Sequence, residues 1–199
     1  PEAPLVWPAS TAKLKANART QNAELDRSLA LALQLARVVA VCTPPAQRQL
    51  AASAQELRAE LLASDIPWLE FETLVRASWD RGIAVVHLGN WPSGWAKPDG
   101  IAMTVNGQRV VVLCSAKSHP AWQLFDLAHE LGHHLLGHLN QGTSSPSVIV
   151  DVKLDRKDVA AQERQADRFA LELICGQAGQ SFRATERWLS ATTLAREAE

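Results

Sequence analysis

The stretch LAHELGHHLLGH, residues 127–138, contains two histidines four residues apart, His129 and His133, with Glu130 directly after the first. The segment is predicted to be helical, and on a helix residues i and i+4 lie on the same face, one turn apart. Two imidazoles at this spacing can bind one zinc ion. Glu130 would lie beside them, where its carboxylate can take a proton from water at the metal and pass it to a leaving amine. The stretch therefore predicts a helix that carries a catalytic zinc site.

The segments around this helix predict an α+β fold with helices before and after a small antiparallel sheet. Helices are predicted at about 10–41, 45–63, 67–80, 120–139, 157–174 and 184–199. Strands are predicted at 82–88, 101–105 and 108–114, with a short one at 148–152. Asn106-Gly107 joins two of these strands and is typical of a type I′ hairpin turn. We expect residues 1–64 to form an N-terminal arm and helical extension, and residues 65–199 to form the domain that contains the zinc site.

A catalytic zinc site needs a third protein ligand and an open position. The downstream candidates are His138, Asp151, Asp155, Glu163, Asp167 and Cys175. Glu163 and Asp167 are i and i+4 on a predicted helix, opposite an apolar stripe, so one carboxylate can bind zinc while the other accepts a hydrogen bond from a ligand histidine. We assign Glu163 to zinc and Asp167 to that hydrogen bond. The alternative is that both are solvated charges on an exposed helix face.

The two motifs, FDLAHELGHHLLGH and ERQADRFALELI, resemble those of the ImmA/IrrE family of bacterial zinc metallopeptidases. The resemblance covers about residues 68–175 and implies a zincin-like domain of the gluzincin type. By position it implies that His129, His133 and Glu163 bind one zinc ion and that Glu130 is the catalytic carboxylate. It also implies a cytoplasmic enzyme that cleaves a helix-turn-helix transcriptional repressor, which relieves repression of genes for stress response, mobile elements or defence. The chain departs from the family pattern at Asp126, where a hydroxyl residue is frequent, and at Cys175-Gly176, where Met-Pro is frequent.

Composition agrees with one compact domain, since 47% of the 199 residues are hydrophobic and the net charge is −1. This balance provides no overall field that would attract nucleic acid or a membrane. No run of 18 apolar residues predicts a transmembrane helix. Three widely spaced cysteines favour a reducing compartment, so we expect a cytoplasmic protein. Because the first residue is Pro1 and the single methionine is Met103, we expect the natural chain to begin earlier.

The developing oxyanion of peptide hydrolysis needs a hydrogen-bond donor, and this chain has no tyrosine to supply it. The candidates are His87, His119 and arginine side chains. His119 directly precedes the motif helix and is our preferred donor. The alternative is that Ser118-His119-Pro120 only begins the helix, with proline in its first turn. His134 and His138 are a second i, i+4 pair, directed about 100° away from the zinc face. We therefore expect solvated or partly packed histidines there, with a second metal as the alternative, and we do not expect His138 to be the third ligand.

Two further features suggest regulation. Cys114 ends the hairpin, and in zinc peptidases an edge strand commonly lies over the cleft and binds extended substrate. A thiolate there could occupy the open position of zinc and hold the enzyme inactive. The alternative is a small buried apolar residue at a strand end.

Trp91 and Trp95, with Lys97 nearby, could cap the cleft or stack on the bases of an activating single-stranded DNA. The alternative is that both rings pack on the protein's own surface.

The sequence thus leaves two classes of function open. One is a zinc endopeptidase that cleaves a repressor protein. The other is a latent or non-catalytic regulatory binding module, in which four protein ligands hold the zinc. A zinc hydrolase that acts on a non-peptide amide is a third possibility, because the HExxH motif determines the metal chemistry and not the substrate.

Overall fold

The helices and strands confirm the predicted α+β class. The computed structural model describes residues 21–62, 68–114, 119–139, 147–150 and 157–176. The elements in chain order are α1 (Gln21–Cys42), α2 (Ala54–Leu62), α3 (Phe71–Asp80), β1 (Ile83–His87), β2 (Gly100–Val105), β3 (Gln108–Leu113), α4 (Pro120–Leu135), β4 (Ser147–Val150) and α5 (Lys157–Cys175).

The four strands form one sheet in the order β1-β3-β2-β4. The β2–β3 hairpin is antiparallel, and β4 is antiparallel to β2, as expected. However, β1 runs parallel to β3, so the sheet is mixed and not wholly antiparallel. The order also places β3 between β1 and β2, so Cys114 follows an interior strand and not an edge strand. Local sequence signals predict that β1 is a strand, but they do not decide whether it pairs with β2 or with β3 of the hairpin.

The turn between β2 and β3 has the predicted type I′ geometry. Asn106 has a φ of 53° and Gly107 a φ of 79°, so both central residues are left-handed. This turn matches the twist of the flanking strands, and Asn-Gly tolerates positive φ better than other pairs. It fixes the register in which Val105 pairs with Gln108 and Gly100 pairs with Leu113.

Alternating residues of the strands pack on two opposite layers of helices. On β3, Val110 and Val112 pack in the cluster that contains α1, whereas Val111 and Leu113 pack in the cluster that contains α2 to α5. This is the two-residue period of a strand whose two faces are both covered. Helix α4 therefore lies between the sheet and α5, with α3 beside it. The site described below is built where α4 and α5 meet.

Helix α2 begins later than the sequence predicted, at Ala54. Ser53 ends the non-helical segment, because its hydroxyl accepts the Glu56 N–H at 3.1 Å in the manner of a helix N-cap. The residues before it are held elsewhere: Gln47 N–H donates to the carbonyl of Asp80 at 2.8 Å. That bond ties the loop to the end of α3 and takes its backbone out of any helical ladder.

Several predictions fall outside the described ranges. The boundary expected between residues 64 and 65 lies within 63–67, the expected final helix spans 184–199, and the N-terminal arm and the start of the first helix lie within 1–20; none of these belongs to the described residues. The candidate ligands Asp151 and Asp155 also lie outside them. All of these stay predictions. Within the described parts of the chain, no helix is both long and apolar enough to cross a membrane.

Candidate metal centre

Helix α4 begins at a capped N-terminus. The Ala121 N–H donates to His119 Nδ1 at 3.3 Å, and Pro120 follows in the first turn, where its missing N–H costs nothing. The structure thus places His119, which is exposed, in the capping position that the alternative interpretation described. Its role as an oxyanion donor stays a prediction.

Three side chains from α4 and α5 converge on one point. His129 Nε2 lies 3.1 Å from His133 Nε2 and 3.1 Å from Glu163 Oε2, and His133 Nε2 lies 3.7 Å from Glu163 Oε1. One ligand atom from each of the three residues lies within 4.8 Å of the others. The three residues that the sequence proposed as zinc ligands are therefore brought together, although Glu163 is 30 positions from His133 and 34 from His129.

The spacing of these donors fits zinc. Zn–N bonds of about 2.0–2.1 Å in a tetrahedron place two ligand nitrogens about 3.4 Å apart. The two imidazole nitrogens lie 3.1 Å apart, and they lie 3.1 and 3.7 Å from the two oxygens of the Glu163 carboxylate, on either side of that value. Glu163 Oε1 is shielded from solvent and makes no hydrogen bond to any described residue, so one carboxylate oxygen remains for a cation. Two imidazoles and one carboxylate are the donor set of many catalytic zinc sites.

Glu163 is ionised at this position. Burial alone would raise its pKa, but the adjacent imidazoles of His129 and His133 outweigh burial and lower the pKa to about 2. At neutral pH the side chain is therefore an anion whose charge faces two nitrogen donors. This is the state that a metal ligand requires.

Asp167 has the hydrogen-bonding geometry that the sequence suggested for it. Its Oδ1 lies 2.9 Å from His129 Nδ1, the ring nitrogen that points away from the metal position. Its side chain remains 53% exposed, so it is both a surface charge and a hydrogen-bond partner. A carboxylate at this distance keeps the His129 proton on Nδ1 and leaves Nε2 free to bind a metal.

Close approach of the two helices makes this convergence possible. A Cβ placed on Gly132 would lie 3.2 Å from the Cα of Ala166 and 3.2 Å from Cδ1 of Phe169. The predicted apolar stripe of α5, which contains Ala166 and Phe169, is buried here. Gly132 thus lets the backbone of α5 come near enough for Glu163 to reach the histidines.

Glu130 faces the other neighbour of α4, the sheet. It is only 1% exposed, and its side chain packs against the backbone of Gly100 at the start of β2. Glu130 thus follows His129 directly in the chain, and its carboxylate is buried at the start of β2. The sequence identified Glu130 but gave no sign of Gly100.

His138 is half-buried, which agrees with the expected partly packed side chain. The expected direction, away from His129 and His133, is wrong, because α4 ends at Leu135 and not at residue 139. Gly137 follows with a left-handed φ of 71°, and His138 N–H donates back to the carbonyl of His133 at 3.0 Å. This is the glycine-terminated helix end that only a residue tolerant of positive φ forms easily. His138 consequently leaves the helix and brings its Nδ1 to 3.0 Å from His133 Nδ1.

His134 is a buried structural residue. It is 2% exposed, and its Nε2–H donates to the carbonyl of Val110 on β3 at 3.2 Å. Burial lowers the pKa of its imidazole to about 3, so the ring is neutral. The expectation of a solvated or partly packed side chain is therefore wrong for His134.

Cys114 and Trp91 both pack on the α1 side of the sheet. The Cys114 thiol is fully buried and contacts the carbonyl of Val112 at 3.7 Å. Burial, followed by the negative charge of Glu130, raises the pKa of this thiol to about 12. Trp91 donates its indole N–H to the carbonyl of Ala96 at 3.1 Å, so its ring packs on the protein's own surface. The gating role of Cys114 and base stacking by Trp95 stay predictions.

Comparison with known proteins agrees with this geometry. Residues 92–197 match the model of a peptidase family described as the IrrE N-terminal-like domain. The match includes β2, β3, α4 and α5, and therefore every residue of the ligand cluster. No curated protein and no solved structure matches the chain significantly.

Proposed function

The chain belongs to the peptidase family of the IrrE N-terminal-like domain, and we propose that it is a zinc-dependent endopeptidase that cleaves a helix-turn-helix transcriptional repressor. The observation that carries the proposal is the convergence of two imidazole nitrogens and one carboxylate at the junction of α4 and α5. Three protein ligands leave the fourth tetrahedral position for water and substrate, as catalytic zinc requires.

His129, His133 and Glu163 would hold the metal. When bound, zinc would supply Lewis acidity, which polarises a peptide carbonyl and lowers the pKa of water at the open position. The chain's own contribution is to orient both histidines and to keep Glu163 anionic. The hydrogen bond from His129 Nδ1 to Asp167 and the low pKa of Glu163 support these two tasks.

Glu130 would act as the general base and then the general acid. It lies one position after His129 on α4, and its buried carboxylate is not one of the three converging ligands. There it would accept the proton of the attacking water and deliver it to the leaving nitrogen. Such proton transfer typically contributes about 10²–10⁴-fold to the rate.

The substrate class rests on the resemblance to the ImmA/IrrE family and on the family match. A repressor with a helix-turn-helix domain, encoded beside this chain, is the proposed substrate, and the cytoplasm is the proposed place of action. Cleavage would separate the DNA-binding part of the repressor from the rest and so relieve repression. Single-stranded DNA is the proposed activating signal.

The test uses the zinc-loaded chain and the purified repressor encoded beside it. Intact-mass spectrometry should reveal two fragments whose masses sum to that of the repressor plus one water. Glu130→Gln, which keeps the size of the side chain but cannot accept the proton, should abolish both fragments. A Glu130→Gln protein that still cleaves would refute the role of Glu130.

A second substrate tests the peptidase activity separately from the choice of the repressor as substrate. If the repressor stays intact, the chain is incubated with a library of proteome-derived peptides, and new N-termini are identified by mass spectrometry. Cleavage of the library alone would reject the repressor as substrate and keep the peptidase activity. Absence of cleavage in both, with zinc bound, would reject the peptidase and favour the regulatory binding module.

A further inference from the structure

We propose that His138 is a positioning residue: its imidazole holds His133 in the tautomer and orientation that bind zinc through Nε2. The inference rests on the proposed zinc function and goes beyond it, because His138 is not one of the three ligands. Metal-binding histidines usually donate their second ring N–H to a protein acceptor, which fixes the ring. His129 has such an acceptor in Asp167, and His133 needs one of its own.

The contacts of His138 supply that acceptor. His138 Nδ1 lies 3.0 Å from His133 Nδ1, and His138 Nε2 lies 2.9 Å from Gln165 Oε1. The His133 ring is wholly buried, so water cannot freely replace His138 as its partner. The two rings meet edge to face, with centroids 5.1 Å apart and planes inclined by 67°.

The position of each proton follows from these contacts. If His133 binds zinc through Nε2, its single proton is on Nδ1 and must be donated. His138 Nδ1 must then be the unprotonated acceptor, so the proton of His138 is on Nε2. That proton points to Gln165 Oε1, a carbonyl oxygen that can only accept. The chain His133 → His138 → Gln165 therefore has one direction of donation.

The backbone holds His138 in place for this task. Because Gly137 adopts a left-handed conformation, the chain reverses after α4, and His138 N–H donates to the carbonyl of His133. His138 is thus bonded to His133 through its main chain and its side chain together. An extension of α4 by one more turn would remove both bonds.

Helix α5 then anchors both ligand histidines. Glu163 is the third ligand, Gln165 fixes the acceptor of His133, and Asp167 accepts from His129. The three side chains occupy positions i, i+2 and i+4 of α5, within about one and a half helical turns. The position of α5 against α4 therefore determines the orientation of the His129 and His133 imidazoles and also the position of Glu163.

The first test measures zinc affinity by competition with a chromophoric chelator. His138→Leu removes the acceptor and should weaken zinc binding about 10–100-fold, the usual effect of losing such a partner. His138→Gln keeps a carbonyl acceptor and should recover a large part of the affinity. Arg164→Ala, at an exposed position of α5 between Glu163 and Gln165, is the matched control and should bind zinc as tightly as the wild type. Equal zinc affinity of His138→Leu and wild type would overturn the proposal.

The second test needs no variant. Long-range ¹H–¹⁵N correlation spectra of the zinc-loaded wild type report which ring nitrogen of each histidine carries the proton. We expect His133 protonated at Nδ1 and His138 protonated at Nε2. A proton on His138 Nδ1 would overturn the proposal even if His138→Leu failed to fold. A wild-type chain that binds no zinc would instead refute the proposed function, so the two failures are distinguishable.

Discussion

Glu130 packs directly on the backbone of Gly100: a Cβ at position 100 would lie 2.7 Å from Glu130 Cγ and 2.8 Å from its Cδ. Real Cβ contacts are essentially never shorter than 3.0 Å. Gly100 is the first residue of β2 and pairs with Leu113 of β3, so the strand cannot easily yield. The missing side chain of Gly100 therefore creates the space in which the carboxylate of Glu130 lies.

Gly100→Ala should consequently displace Glu130 while the three zinc ligands stay in place. A misplacement of about 1 Å at a reacting group can cost about 10²-fold in rate. We expect a loss of that order in kcat, with zinc content and KM close to those of the wild type. Steady-state kinetics on the cleaved substrate, together with metal analysis, makes the measurement. Gly89→Ala is the control, because a Cβ there meets its nearest neighbour at an ordinary 3.4 Å; unchanged kcat in Gly100→Ala would contradict this prediction.

Gly132→Ala should separate α4 from α5. The new methyl group would lie 3.2 Å from the backbone of Ala166, which cannot move without shifting the helix. Overpacking of this kind costs about 1–3 kcal/mol, more than the roughly 1 kcal/mol that alanine gains over glycine in helix propensity. We expect a net loss of stability in chemical denaturation and weaker zinc binding. A variant as stable as the wild type, with the same zinc affinity, would show that the helix contact does not need glycine.

Zinc should stabilise the folded chain through Glu163. A ligand that binds only the native state at 100 times its Kd adds about 2.7 kcal/mol. The midpoint temperature of thermal unfolding of the wild type should therefore rise when zinc is added and fall back to its original value when a chelator is added. Glu163→Gln should lose most of this shift, whereas Glu130→Gln should keep it, because position 130 is not a ligand. An equal shift in both variants would remove Glu163 from the ligand set.

Cys114 should resist alkylation in the native protein. Its thiol is buried and its pKa is raised to about 12, so below that pH the reactive thiolate is scarce. The exposed Cys42 is the internal reference. Timed iodoacetamide labelling at pH 8, read by peptide mass spectrometry, should modify Cys42 quickly and Cys114 only after denaturation. Fast labelling of Cys114 would instead place the thiol in an open cleft, as the gating hypothesis requires.

Sequence reasoning succeeded where the signal is local. Asn106-Gly107 contains its own turn chemistry, and the spacing of His129 and His133 determines a shared helix face as soon as the segment is helical. The same holds for Glu163 and Asp167 on α5. Each of these patterns occupies fewer than six consecutive positions, and no distant contact is needed to interpret it.

The remaining features depend on contacts between distant segments. The parallel pairing of β1 with β3 and the approach of Gly100 to Glu130 follow from tertiary packing, which no short stretch of sequence contains. The position of His138 outside the helix could have been predicted, because a glycine such as Gly137 near a predicted helix end is a typical stop signal. The apolar period that runs on through Leu136 and Leu139 favoured a longer helix and concealed the turn at Gly137.

The coordination of the metal tests the central claim most directly. Crystals of the reduced, zinc-loaded chain are measured at energies above and below the zinc absorption edge, and the anomalous difference map locates the ion. We predict one zinc bound by His129 Nε2, His133 Nε2 and Glu163, with a water in the fourth position. A zinc held by four protein ligands would support the regulatory module, and zinc at other residues, or none in zinc-replete protein, would contradict the account.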